Sequence, residues 1–235
     1  LPKRLLLFFI FTYFYKKNIY MESKTLPSLL HTNKTHVGAV EMSPWMYPYM
    51  LGYRDKVPFF NVEETLIGTQ KALVFLKSVR EKKGEILIVN THPAFSKVVK
   101  KTSTILGIHY VNEHWIGGLL TNWQQLKYSV HAYKKFNSFI SPIITKDIVA
   151  FPKYTKAKKR FDGIQNMVFK PDAILLLQAT TAHKSIIEEA KRLKIPVIAC
   201  VDSSSPTVSV EYPIPINTYS KAFCHFLCRL LVKIC

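Results

Sequence analysis

Few residues in this 235-residue chain have the types and spacing that do chemistry. Asp202-Ser203-Ser204-Ser205 sets a carboxylate beside three hydroxyls. Such a group can hold a metal or an alkoxide-forming substrate, and it can equally cap a strand and turn the chain. His183 stands early in a helical pattern with no nucleophile near it in sequence. The 8 histidines are spread singly, so no Ser/His/Asp pairing is selected. Neither G-x-G-x-x-G nor G-x-x-x-x-G-K-[ST] occurs, so a nucleotide phosphate lacks its usual cradle. Gly117-Gly118 is a lone pair. Cys200, Cys224, Cys228 and Cys235 form no C-x-x-C pair, and no histidine cluster has zinc spacing. They read as buried free thiols, with no metal and no cofactor expected.

Positive charge is what the chain has in excess. Lysine and arginine number 33 against 15 acidic residues, for a net charge of +18 and a pI of about 9.7. The partner this implies is a polyanion: nucleic acid first, an anionic membrane surface second. With 48% hydrophobic and only 20% charged residues, the chain is not disordered throughout. The densest basic run is Lys153-Tyr-Thr-Lys156-Ala-Lys158-Lys159-Arg160, suited to phosphate contact as well as to a solvated face. The apolar run at residues 5–15, flanked by Arg4 and Lys16, is shorter than the roughly 20 residues that span a bilayer, so stable membrane insertion is not expected. It has the look of a signal-peptide core without a cleavage site, and Met21 is a candidate true start.

Two α/β units must position these groups. In the first, a helix over Glu63–Lys83 presents Val62, Leu66, Leu73, Leu76 and Val79 on one stripe and stops at Gly84. A strand at Glu85–Val89, a turn at Asn90–Pro93, a basic helix to Leu106 stopped by Gly107, and a strand at Ile108–Val111 complete it. In the second, a strand at Ala173–Leu177 leads to a helix capped by Thr180 or Thr181, with Ile186, Ile187, Ala190 and Leu193 on its apolar face, and then to a strand at Val197–Val201. A final helix runs from Tyr219 to Lys233. Before these units, Pro44 and Pro48 make residues 35–52 an irregular packed segment, followed by the polar turn Arg54-Asp55-Lys56 and a strand at Val57–Asn61. Between the units, Trp115-Ile-Gly117-Gly118-Leu-Leu-Thr121-Asn122-Trp123 turns the chain out of the sheet. Thr121 and Gln124 there form a capping-box pattern at the start of a helix to about Phe136, with Lys127, Lys134 and Lys135 on it. Residues 137–152 are interrupted by Pro142 and Pro152.

Three blocks give a resemblance. Tyr110–Trp123 closely resembles a tryptophan-flanked glycine block of the small ribosomal subunit protein two family, bacterial and organellar type. Gly38, Pro44, Met46, Pro48, Tyr49, Gly52, Glu64, Thr65 and Leu66 match a second block, and residues 171–206 match a third almost throughout. Ile214, Pro215 and Asn217 match after it. Ala39 replaces the family's usual histidine, Trp45 and Tyr47 replace lysines, Ile216 replaces a glycine, and the acidic tail common in bacterial members is missing from this sequence.

The resemblance implies an α/β fold: a flavodoxin-like parallel sheet flanked by helices, with a helical insertion. The expected divisions are 1–34 as an extension with a short helix, 35–123 and 169–235 as the two parts of the α/β domain, and 124–168 as the basic insertion. It implies a structural, non-enzymatic constituent of the small subunit that binds small-subunit rRNA and neighbouring ribosomal proteins, and no homo-oligomer. Residue usage favouring AT-rich codons points to a mitochondrion, with a plastid or bacterial cytoplasm as alternatives. The expected phosphate contacts are Arg54, Lys56, Lys97, Lys100, Lys101, Lys153, Lys156, Lys158, Lys159 and Arg160. Trp115, Gly117, Gly118, Thr121, Asn122 and Trp123 are expected to shape the adjoining surface. The rival reading is a small-molecule-binding α/β enzyme using the loops at the carboxyl ends of the strands.

Overall fold

Strand-length apolar runs that alternate with amphipathic helices must stack as a sheet between helical layers. The computed structural model, which describes residues 34–140, 152–205 and 210–234, shows that arrangement. Five parallel strands, β3 Ile86–Asn90, β4 His109–Asn112, β5 Ala173–Ala179, β6 Val197–Val201 and β7 Tyr212–Pro215, lie in the order β4-β3-β5-β6-β7. This is the flavodoxin-like order, in which the switch point falls between β3 and β5. A separate antiparallel hairpin pairs β1 Met50–Arg54 with β2 Val57–Phe60.

Every residue of β3, β5 and β6 is buried, as strands covered on both faces must be. Successive side chains feed opposite cores. Ile86 and Ile88 join Leu175, Ile198 and Ile214 in a core roofed by α1 Val62–Glu81, α2 Ser96–Leu106 and α6 Lys221–Ile234. Leu87 and Val89 join Ile174, Leu176, Val197 and Ala199 in the other, covered by α5 Lys184–Arg192, by Leu119, Leu120 and Trp123, and by Met46 and Phe60. The remaining helices, α3 Trp123–Ile140 and α4 Pro152–Phe161, form the insertion. They meet through aromatic rings: Tyr133 stacks on Tyr154 at 6.3 Å, Phe136 tilts onto Tyr154 at 5.9 Å, and the Tyr154 hydroxyl donates to Asn137 Oδ1 at 2.7 Å.

Several expectations are corrected. Met50–Arg54 is a strand, not the end of an irregular segment; it turns into β2 through Asp55 and Lys56, both at positive φ as a two-residue hairpin turn requires. Tyr212–Pro215 is an edge strand despite its two prolines. The helix expected to end near Phe136 continues to Ile140. The left-handed residue ending α1 is Lys83, and Gly84 instead admits Val79 and Asp172 at close range. Helix α3 starts at Trp123, so the residue ahead of it is Asn122 and not Thr121, and Asn122 Nδ2 donates to Gln125 Oε1 at 2.8 Å. Cys200, Cys224 and Cys228 are buried free thiols, and burial pushes Cys200 up to about 12. The apolar run 5–15, Met21, the short helix expected in the N-terminal extension, Pro142 and Cys235 lie outside the described residues.

Candidate nucleic-acid interface

The glycine turn is built around one buried carboxylate. Glu189, on the inner face of α5, accepts from the Gly118 N–H at 2.9 Å and from Trp115 Nε1 at 3.2 Å on Oε1, and from the Leu120 N–H at 3.1 Å on Oε2. Gly118 sits at φ +81, a conformation that strains any residue with a Cβ. Leu119 and Leu120 are then driven wholly into the core. Trp123 is core as well, its Nε1 donating to the Val168 carbonyl at 3.3 Å. Of the six residues expected to shape this surface, Gly117, Thr121 and Asn122 are exposed, Trp115 and Gly118 are half-buried, and Trp123 is inside. Glu189 is the member of this site that sequence reasoning missed. Its signal is a carboxylate set among Ile186, Ile187 and Ala190 on the buried stripe of a helix.

The expected cations fall into two groups. Lys97, Lys100 and Lys101 on α2 and Lys153, Lys156, Lys158, Lys159 and Arg160 on α4 are all exposed, and both helices pack against the edge strand β4. The junction is specific. Asp162, just after α4, accepts from Lys100 Nζ at 2.8 Å and from the Tyr110 hydroxyl at 3.0 Å. Lys159 pairs with Glu113 at 3.2 Å. Burial and the adjacent Asp162 carboxylate raise the Tyr110 phenol well above its ordinary range, so it stays a donor. The Tyr110 N–H, on the outer side of β4, donates to the Gly163 carbonyl at 3.1 Å. A Cβ at Gly163 would lie 2.0 Å from the Tyr110 carbonyl oxygen, so only glycine lets the insertion lie flat on the strand. Arg54 and Lys56, by contrast, stand on the β1–β2 turn. The segment leading into that hairpin is tied by Ser43 N–H to the Ser203 carbonyl, 2.8 Å away beyond β6, so the structure does not bring them to the β4 edge.

The residues that suggested chemistry hold the fold instead. His183 bridges the loops at the switch point: Nε2 lies 2.7 Å from Thr91 Oγ1, and Nδ1 accepts the Thr180 N–H at 3.2 Å. That acceptor role leaves the proton on Nε2, and burial holds the ring's pKa below the usual histidine value. Asp202 Oδ1 accepts the Ser203 N–H at 2.6 Å, Ser205 Oγ accepts the Asp202 N–H at 2.8 Å, and Ser203 Oγ donates to the Ala39 carbonyl at 2.9 Å. Ser203 and Ser205 are fully buried. The run caps β6 and, through Ser203, clasps the segment ahead of the hairpin.

Comparison with known proteins identifies the family. Residues 30–235 match the family described as ribosomal protein S2. The chain is 32% identical over 194 residues to small ribosomal subunit protein uS2m of Marchantia polymorpha, covering 79% of this chain and 80% of that one. It is 38% identical over 182 residues to uS2 of Buchnera aphidicola, covering 74% of each, and 29% identical over 198 residues to uS2 of Ehrlichia chaffeensis, covering 82% and 68%. With every described residue inside the matched span, the chain belongs to the ribosomal protein S2 family, a structural constituent of the small ribosomal subunit and not an enzyme.

Proposed function

We propose that the chain works by positioning: α2 and α4 form one cationic face along the β4 edge that neutralises phosphates of small-subunit rRNA. The observation that carries this is the Asp162 junction, which fixes the two basic helices to the same strand. Lys100 and Lys159 serve largely as internal struts, because each is already ion-paired. Lys97, Lys101, Lys153, Lys156, Lys158 and Arg160 are the cations left for phosphate. Each phosphate neutralised releases counterions, while the α/β core holds the spacing. The exposed glycine turn, anchored by Glu189, sets the direction in which the insertion leaves the sheet, and the other surfaces meet neighbouring ribosomal proteins. Among the described residues no helix is long and apolar enough to cross a membrane. The chain acts as a single copy within a mitochondrial ribosome, a location supported by its relative uS2m and by its aromatic-rich composition.

Replacing Lys97, Lys101, Lys156 and Lys158 with glutamine tests the face. Binding to small-subunit rRNA should weaken at least about tenfold at moderate salt. The slope of log affinity against log salt should shrink by roughly 0.7–0.9 for each phosphate no longer neutralised. An unchanged affinity and slope would exclude the α2–α4 face as the rRNA surface.

A further inference from the structure

The β1–β2 hairpin carries a second exposed surface of different chemistry. Trp45 and Tyr47 on the 3-10 turn Pro44–Tyr49 are 59% and 61% exposed, and Tyr53 on β1 is 54% exposed. Met46, between the first two, is fully buried and fixes the turn against the core. The Tyr53 hydroxyl donates to Met42 Sδ at 2.8 Å, and Tyr47 is near enough to interact with it electrostatically, so the two tyrosines are neighbours. Arg54 and Lys56 follow directly. Both are exposed, and Arg54 has only a loose 3.9 Å approach to Asp55. Trp45 and Tyr47 stand where the resembled family pattern has lysines, so two cations have become two rings, while Arg54 and Lys56 keep positive charge on the hairpin turn.

Rings without flanking charge would favour a protein partner. Here the cations border the rings, on a chain of net charge +18, and the charge complementarity favours RNA. A rigid duplex offers phosphates and hides its base faces, whereas unpaired nucleotides offer both phosphate and a π-face. We infer that Trp45, Tyr47 and Tyr53 form a stacking platform for single-stranded RNA, with Arg54 and Lys56 holding its backbone. This rests on the rRNA-binding reading, and it assigns the hairpin a ligand distinct from the phosphates met by α2 and α4.

The test uses the full chain with two probes, a short oligouridine and a mixed-sequence RNA duplex of equal length. Combined Trp45→Ala, Tyr47→Ala and Tyr53→Ala should weaken oligouridine binding about tenfold or more and leave duplex binding within about twofold. The conservative set Trp45→Phe, Tyr47→Phe and Tyr53→Phe, which keeps all three rings, should restore oligouridine binding to within about threefold of the parent. Unaltered oligouridine binding by the alanine set, equal weakening for both probes, or failure of the phenylalanine set to restore binding would each overturn the platform. So would an alanine set that binds oligouridine normally but drops a protein from assembled subunits, which would make the hairpin a protein site. A parent chain that binds neither probe would instead overturn the rRNA reading itself.

Discussion

A buried carboxylate costs free energy unless its oxygens find donors, and Glu189 finds three. Removing it strands the N–H groups of Gly118, Leu120 and Trp115 at the turn that launches the insertion. Glu189→Ala should therefore lose roughly 2–4 kcal/mol of stability, at about 1–3 kcal/mol per buried donor left unpaired with partial relief by water. Glu189→Gln, which keeps an acceptor oxygen, should lose less. Denaturant midpoints measure both, and a loss near zero for the alanine variant would mean that the turn is held by its leucines alone. His183 makes a pH prediction. Burial disfavours its charged form, so the folded chain resists a proton that the unfolded chain accepts. Stability from this source is complete above the ordinary histidine pKa of about 6.5 and falls as pH drops through that value toward the lower folded pKa. His109 contributes with the same sign, since burial outweighs the opposing pull of Glu85. His183→Gln should flatten the decline between about pH 7 and about pH 5.5. A variant as steep as the parent would remove His183 as its source.

At the scale of elements, Gly163 is the contact on which the insertion turns. Gly163→Ala drives a methyl group into the Tyr110 carbonyl, so α4 must lift from β4. The expected cost is roughly 1–3 kcal/mol, as for other overpacked sites. Hydrogen exchange at the Tyr110 amide should accelerate, because its partner is the Gly163 carbonyl. Unchanged exchange would show that the strand edge is closed by other means. What could be read in the sequence follows the same physics. Strands β3, β5 and β6 are legible because burial on both faces demands a continuous apolar run, and helices α1, α2 and α5 because one face alone is buried. Strand β7 hides behind Pro213 and Pro215, and β1 behind Gly52 and the prolines just before it. The cations of the candidate site are legible as charge. Which of them are struts is not, because Lys100 and Asp162 lie 62 positions apart and only the fold joins them. The aromatic patch is visible as two departures from a lysine-bearing pattern, and its exposure needs the hairpin.

For the whole molecule, a flavodoxin-like sheet has its usual ligand crevice at the switch point, and here His183 and Thr91 tie that crevice's loops together. The cations proposed to meet rRNA stand at the β4 edge, and the exposed rings stand ahead of and on the hairpin, whose leading segment is tied to the loop after β6. A strand edge is normally a liability for pairing with other chains, and covering it with a basic helix both blocks that pairing and places charge outward. The most direct test of this arrangement is a density map of the small subunit containing this chain. Lys97, Lys101, Lys156, Lys158 and Arg160 should lie within hydrogen-bonding reach of rRNA phosphates along the β4 edge, with Lys100 still on Asp162 and Lys159 on Glu113. A map in which α2 and α4 face solvent or protein, with rRNA on another side of the sheet, would contradict it.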